Sequence, residues 1–148
     1  MTDYYTSNTM PLQDESQSNL QAARLYVALV ANPASTFEDI RTMLADDILW
    51  REMPNRFAPS GRTHTLAGME ESWQRGREVV ADQVYDIRQA VASGDAVALE
   101  IGWHGTVLKD LGLFVAGTTL RADLGMFLQF AAGKIISQTD YPCYYPIE

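Results

Sequence analysis

Two stretches, Ala96-Val-Ala-Leu-Glu-Ile-Gly-Trp-His-Gly-Thr-Val-Leu108 and Thr118-Thr-Leu-Arg-Ala-Asp-Leu-Gly-Met-Phe-Leu-Gln-Phe130, alternate apolar and polar residues. A period of two belongs to strands with one buried face. On 96–108, Val97, Leu99, Ile101 and Trp103 fall on one face, and Glu100, Gly102 and His104 on the other. On 118–130, Leu120, Ala122, Leu124, Met126 and Leu128 point in, while Arg121, Asp123 and Gln129 point out. Further strands are expected near 84–92 and 134–141, the last with Ile136, Gln138 and Asp140 on one face. Ser93-Gly-Asp95 and Ala131-Ala-Gly133 are turn sequences that join them as hairpins. The connection 109–117 carries Leu111, Leu113, Phe114 and Val115 between glycines. So much apolar surface is costly in water, so this loop is expected to cover something or pack on a partner.

Before Val84 the period is helical. Leu20, Ala23, Val27 and Val30, with Tyr26 beside them, predict a helix from Ser16 or Ser18 to Asn32-Pro33. Ser35-Thr-Phe-Glu38 reads as a capping box. It opens a short helix with Phe37, Ile40 and Leu44 on its apolar face, broken by Asp46-Asp47. Ile48 to Met53 reads as a strand with Trp50 and Glu52 on one face, and the residues that follow, to Gly61, as a loop. Thr65 caps a third helix with Leu66, Met69, Trp73 and Val80 as its buried stripe. The polar segment 1–17 is expected to be a mobile tail, from which Tyr4 and Tyr5 could dock on a partner subunit. The order predicts an α+β fold of one domain, 18–148. Helices would cover one face of a strongly curved, mostly antiparallel sheet, making a cone whose mouth is a pocket.

The totals narrow the function. A chain of 148 residues, 47% apolar and 20% charged, can bury a full core. A net charge of −8 repels phosphate backbones, so nucleic acid is not an expected partner. The single cysteine, Cys143, allows no intrachain disulfide and fits a reducing compartment. No apolar run is long enough to span a bilayer, and the start lacks the basic and apolar regions of a secretory signal, so a cytoplasmic protein without a membrane partner is expected. HExxH, CxxC, phosphate-loop and GxSxG patterns are absent, so neither metal nor cofactor is expected.

The order of elements, together with Leu44-Ala-Asp-Asp-Ile-Leu-Trp-Arg-Glu-Met-Pro54 and the closing hairpin Phe130-Ala-Ala-Gly-Lys-Ile135, resembles the nuclear transport factor 2-like superfamily. Within it the chain resembles the SnoaL-like group of polyketide cyclases, ketosteroid isomerases and limonene epoxide hydrolases. The resemblance places Glu52 where the isomerases keep a proton-shuttling Asp and the hydrolases a water-positioning Asn. Tyr26 falls where the isomerases keep an oxyanion-hole Tyr. Asp140 falls where the hydrolases keep the second Asp of an Asp-Arg-Asp triad. The isomerases' second oxyanion donor would fall near Met126, and the other two triad members near Ile101 and Trp103.

Parity makes the cavity wall mostly apolar, with Glu52, Gln138, Asp140 and Tyr26 as its polar groups, the composition of a small-molecule site. Glu52 is the first candidate for a general acid or base, because an apolar wall raises a carboxylate's pKa toward neutrality. Its alternative is a loop cap, or an ion pair with Arg56 or Arg62. Asp140 could orient water or share a proton with Glu52, or else bond backbone near Tyr141-Pro142. Tyr26 could donate to an oxyanion or simply fill the core. Trp50, Trp103, Met126, Leu124, Gln138, His64 and Met69 are the expected substrate contacts. The expected function is acid–base isomerisation, cyclisation or epoxide opening of a small hydrophobic molecule, and its rival is a binding or assembly domain without chemistry. A homodimer is expected through the outer sheet face, where Glu100, His104, Arg121, Asp123 and Phe127 stand among small Gly102 and Gly125.

Overall fold

The computed structural model of the protein describes residues 12–147. In chain order the elements are α1 (Leu12–Ala31), α2 (Phe37–Arg41), β1 (Leu44–Glu52), β2 (Arg62–His64), α3 (Leu66–Val79), β3 (Val80–Ser93), β4 (Ala96–Val107), β5 (Thr119–Ala131) and β6 (Lys134–Tyr144). The strands form one curled, unclosed sheet in the order β2-β1-β6-β5-β4-β3. Every neighbouring pair is antiparallel except β1 and β6, which run parallel.

The long hairpins follow from the alternation. Val97, Leu99, Ile101, Met126 and Leu128 are buried against Ala23, Tyr26 and Val27 of α1. Phe37 and Ile40 of α2 and Leu66 and Met69 of α3 complete the core.

Several boundaries differ from the sequence expectation. The first helix begins at Leu12, not at Ser16 or Ser18. Its polar first half is used: Ser16 Oγ accepts the Gly94 N–H at 2.9 Å, and Asn19 donates to the Gly94 carbonyl at 3.1 Å. The helix thus grips the β3–β4 turn through hydrogen bonds, which leave no hydrophobic period. Tyr4 and Tyr5 lie outside the described residues.

The capping box is one residue later than expected. Thr36 caps α2, with Asp39 reaching back to the Thr36 N–H at 2.8 Å. The Ser35 hydroxyl is buried without a hydrogen-bond partner. Leu44 is not helical; it opens β1 opposite Ile135, and Asp46 and Asp47 sit exposed at an irregularity inside that strand. Arg62–His64, between the expected loop and the third helix, is a strand paired with Trp50–Glu52. A register shift between Gln129 and Phe130 puts Ile135, not Ile136, into the core.

The outer face keeps its expected composition, but Gly102 does not offer room for a second sheet. Arg88 lies across it, where a Cβ would collide with the guanidinium, to meet Asp123 at 2.7 Å. Asp123 also accepts from the Tyr145 hydroxyl. Phe127 and Tyr141 form an exposed edge-on pair, ring centres 5.6 Å apart. In the 109–117 connection, Phe114 packs on Phe57 while Leu113 is 98% exposed. Among the described residues no helix is long and apolar enough to cross a membrane.

Candidate active site

The parallel pairing of β1 and β6 sets Trp50 beside Gln138, and Glu52 beside Asp140. On the other side of β6, Asp140 meets Met126 and Gln138 meets Leu128. Side chains at alternate positions share a face, so Trp50, Gln138, Asp140 and Met126 line one concave wall. Tyr26 of α1 comes down on that wall from the helical layer. Met69 and Trp73 of α3, Phe37 and Ile40 of α2, and Tyr85 of β3 complete a cleft of about 720 Å³. That volume lies within the range of small-molecule sites.

The polar groups at its buried end are joined. The Tyr26 hydroxyl donates to Gln138 Oε1 at 2.6 Å. Gln138 Nε2 donates to Asp140 Oδ2 at 2.9 Å and approaches Oδ1 at 3.2 Å. The Trp50 indole N–H donates to Asp140 Oδ2 at 2.7 Å. The two donors favour the carboxylate, but burial outweighs them. Desolvation, with a smaller contribution from the charge of Glu52, pushes Asp140 up to about 7. Burial likewise raises the Tyr26 phenol well above its ordinary range, so it is a neutral donor.

Glu52 does not stand where its strand parity suggested. It is the register neighbour of Asp140, yet it is not among the residues that line the cleft. Its carboxylate pairs instead with Arg62, Nε to Oε2 at 3.6 Å, across the β1–β2 pairing. His64 also stays outside the lining; its ring stacks on Trp50, centres 4.9 Å apart and planes 25° apart. Burial and the nearby Arg62 lower its pKa, favouring the neutral ring. Trp103 lies beyond the cleft too, giving its indole N–H to Gln83 Oε1 at 3.1 Å and meeting Tyr144 edge-on. Of the expected contacts, Trp50, Met69, Leu124, Met126 and Gln138 line the cleft, as do Tyr26 and Asp140.

The sequence reading missed Tyr85, Gln83 and Arg77 as parts of this cleft. Tyr85 donates to Gln83 Oε1 at 3.2 Å, and burial raises its pKa. For Tyr85 a signal exists in the sequence, since Tyr85 and Ile87 alternate with charged Asp86 and Arg88. Arg77, at the outer end, holds the carbonyls of Asn32 and Pro33 at 2.8 Å each and lies 3.9 Å over the Trp73 ring. Among the described residues no group of three or more His, Cys, Asp or Glu is placed to hold a metal ion.

The arrangement matches known proteins at the level of fold. The model of the SnoaL-like domain covers residues 23–138. No curated protein matches the sequence. Among solved structures, AclR, a candidate hydroxylase from Streptomyces galilaeus, is 20% identical with a TM-score of 0.71, over 86% of this chain and 90% of that one. A nuclear transport factor 2-like protein from Burkholderia xenovorans is 21% identical, TM-score 0.68, over 86% and 90%. An LEH-like epoxide hydrolase from M. tuberculosis is 15% identical, TM-score 0.67, over 86% and 84%. At these identities the likeness is one of fold alone.

Proposed function

The chain belongs to the SnoaL-like domain family, and from that footing we propose that it is an acid–base enzyme acting on a small hydrophobic molecule held in the cleft. The reaction would be an isomerisation, a cyclisation or an epoxide opening. One observation carries the reading: Asp140 is a buried carboxyl on an apolar wall, poised near 7, at the end of a cleft of about 720 Å³. A group half protonated near neutrality can both take and return a proton, which is where general acid–base catalysis is most effective. Trp50 and Gln138 hold its carboxylate oxygens in place. Asp140 therefore takes the proton-moving role that the sequence reading gave first to Glu52. Glu52 would contribute through its charge, which helps to raise Asp140.

A second reading, a binding domain without chemistry, draws on one feature. The Tyr26 hydroxyl is already donated to Gln138, and the resemblance puts the apolar Met126 near where an isomerase would keep a second oxyanion donor, which argues against a preassembled oxyanion hole. Mass spectrometry of the small molecule retained on purification, followed by turnover of that molecule, separates the two readings. With Asp140→Asn, retention should persist while turnover falls by ~10²–10⁴-fold, the usual worth of a general acid or base. Turnover unchanged in Asp140→Asn would overturn the catalytic assignment, and retention with no turnover by the parent would favour the binding domain.

A further inference from the structure

The direction of each hydrogen bond at the buried end of the cleft decides what remains for a ligand. The Tyr26 hydroxyl donates to Gln138 Oε1, and that oxygen cannot donate back. Tyr85 gives its hydroxyl to Gln83 Oε1. Trp50 gives its only side-chain N–H to Asp140, and Gln138 turns its amide N–H to the same carboxylate. While Asp140 is ionised, the Gln138 amide is fixed in this sense. Reversed, its oxygen would face the Asp140 carboxylate at 2.9 Å, oxygen against oxygen. The hydroxyls and the indole are thus spent on the protein. With Asp140 ionised, what they leave facing the cleft are acceptors: the lone pairs of the Tyr26 and Tyr85 oxygens and those of Asp140. The charged or titratable neighbours of Asp140 are Glu52 on β1, Tyr26 on α1, Tyr85 on β3 and Tyr144 on β6. The other donors on the lining are engaged as well: Arg77 gives N–H groups to the Pro33 and Asn32 carbonyls at 2.8 Å each, and the Gln83 amide gives one to Val80 at 3.5 Å.

We infer that the inner end of the cleft selects an apolar molecule bearing its own hydrogen-bond donor, a hydroxyl or a protonated amine, over the carbonyl analogue of the same carbon frame. A donor entering here meets acceptors whose other partners are already satisfied. While Asp140 is ionised, a carbonyl oxygen would face oxygen lone pairs and would have to break the Tyr26–Gln138 bond to find a proton. This inference rests on the reading of the cleft as the ligand site.

Three bicyclic probes of one frame test it: 2-aminotetralin, 2-tetralol and 2-tetralone, titrated at pH 8 by calorimetry. The alcohol should bind ~5-fold and the amine ~10- to 100-fold more tightly than the ketone, the worth of one neutral and one charge-assisted hydrogen bond. In Asp140→Asn the amine should lose its advantage. In the unaltered protein the same advantage should shrink between pH 8 and pH 5.5, as Asp140 takes up a proton, so the test stands even if the variant does not fold. A ketone that binds as tightly as the amine at pH 8 overturns the inference and leaves the cleft as the ligand site. Equal amine preference in parent and Asp140→Asn also overturns it. If none of the three binds, the reading of the cleft fails and the inference fails with it.

Discussion

Asp140→Asn should make the protein relatively more stable as pH rises, with a size that follows from the burial of the carboxyl. Asp140 is 7% exposed, and its pKa stands at about 7 against an ordinary value of 3.8. Between those values the folded state holds a proton that the unfolded state has released. Stability from this group is complete below about pH 4 and is lost as pH rises through about 7. The whole span is worth roughly 4 kcal/mol, at about 1.4 kcal/mol per pH unit. An asparagine does not titrate. The stability of Asp140→Asn minus that of the parent should therefore rise by roughly 2–3 kcal/mol between pH 5 and pH 8, the part of the span in that window. Hydrogen bonds lost from Trp50 or Gln138 shift the variant by a similar amount at each pH, so they alter the offset and not the slope. Urea unfolding followed by circular dichroism at unit steps of pH measures the difference directly. Parallel stability curves from pH 5 to pH 8 would refute the argument, because they would mean that Asp140 titrates as an ordinary carboxyl and that its two donors outweigh burial.

Three further outcomes are expected. Glu52→Gln should change stability at pH 7 by less than about 1 kcal/mol, since its pair with Arg62 is long at 3.6 Å and partly exposed, and it should move the Asp140 midpoint down; nuclear magnetic resonance of the Asp140 carboxyl reads this, and an unmoved midpoint counts against the coupling. Asn19→Ala should cost about 1 kcal/mol in thermal or urea unfolding, because it removes the bond from α1 to the Gly94 carbonyl. If the protein pairs through its outer sheet face, Phe127→Lys should dissociate it in sedimentation experiments at micromolar concentration, since the exposed Phe127–Tyr141 pair is the apolar centre of that face; a parent that already sediments as a monomer would overturn the dimer.

How far the fold could be read depended on whether a residue's partner was local or distant. Val97, Leu99, Ile101 and Leu128 followed from alternation alone, because each strand buries one face all along its length. The start of α1 did not, because Ser16 and Asn19 are held by the Gly94 turn, far along the chain. Leu44 fits a helical stripe in sequence, but its neighbour in the fold is Ile135. The cap shifted by one residue because Ser35-Thr-Phe-Glu38 and Thr36-Phe-Glu-Asp39 both fit the pattern, and only the backbone chooses between them. In the site, parity correctly gathered Trp50, Gln138, Asp140 and Met126. It could not choose between the cavity wall and the Arg62 ion pair for Glu52, nor tell that Trp103 would be held by Gln83.

The contrast between Glu52 and Asp140 shows where the candidate chemistry originates. The two carboxyls sit side by side on parallel neighbouring strands, and neither differs from the other as a local sequence signal. What separates them is the next strand out on each side. Beyond Glu52 lies β2, which offers Arg62 as a counter-charge. Beyond Asp140 lies β5, which offers the apolar Met126. Desolvation then acts on Asp140 without a compensating cation, and the charge of Glu52 adds to it. Two adjacent acids thus become one paired with a cation and one poised to titrate near neutrality, the division of labour on which acid–base sites depend. The apolar Met126, the register neighbour of Asp140 on β5, offers that carboxyl neither a counter-charge nor a donor.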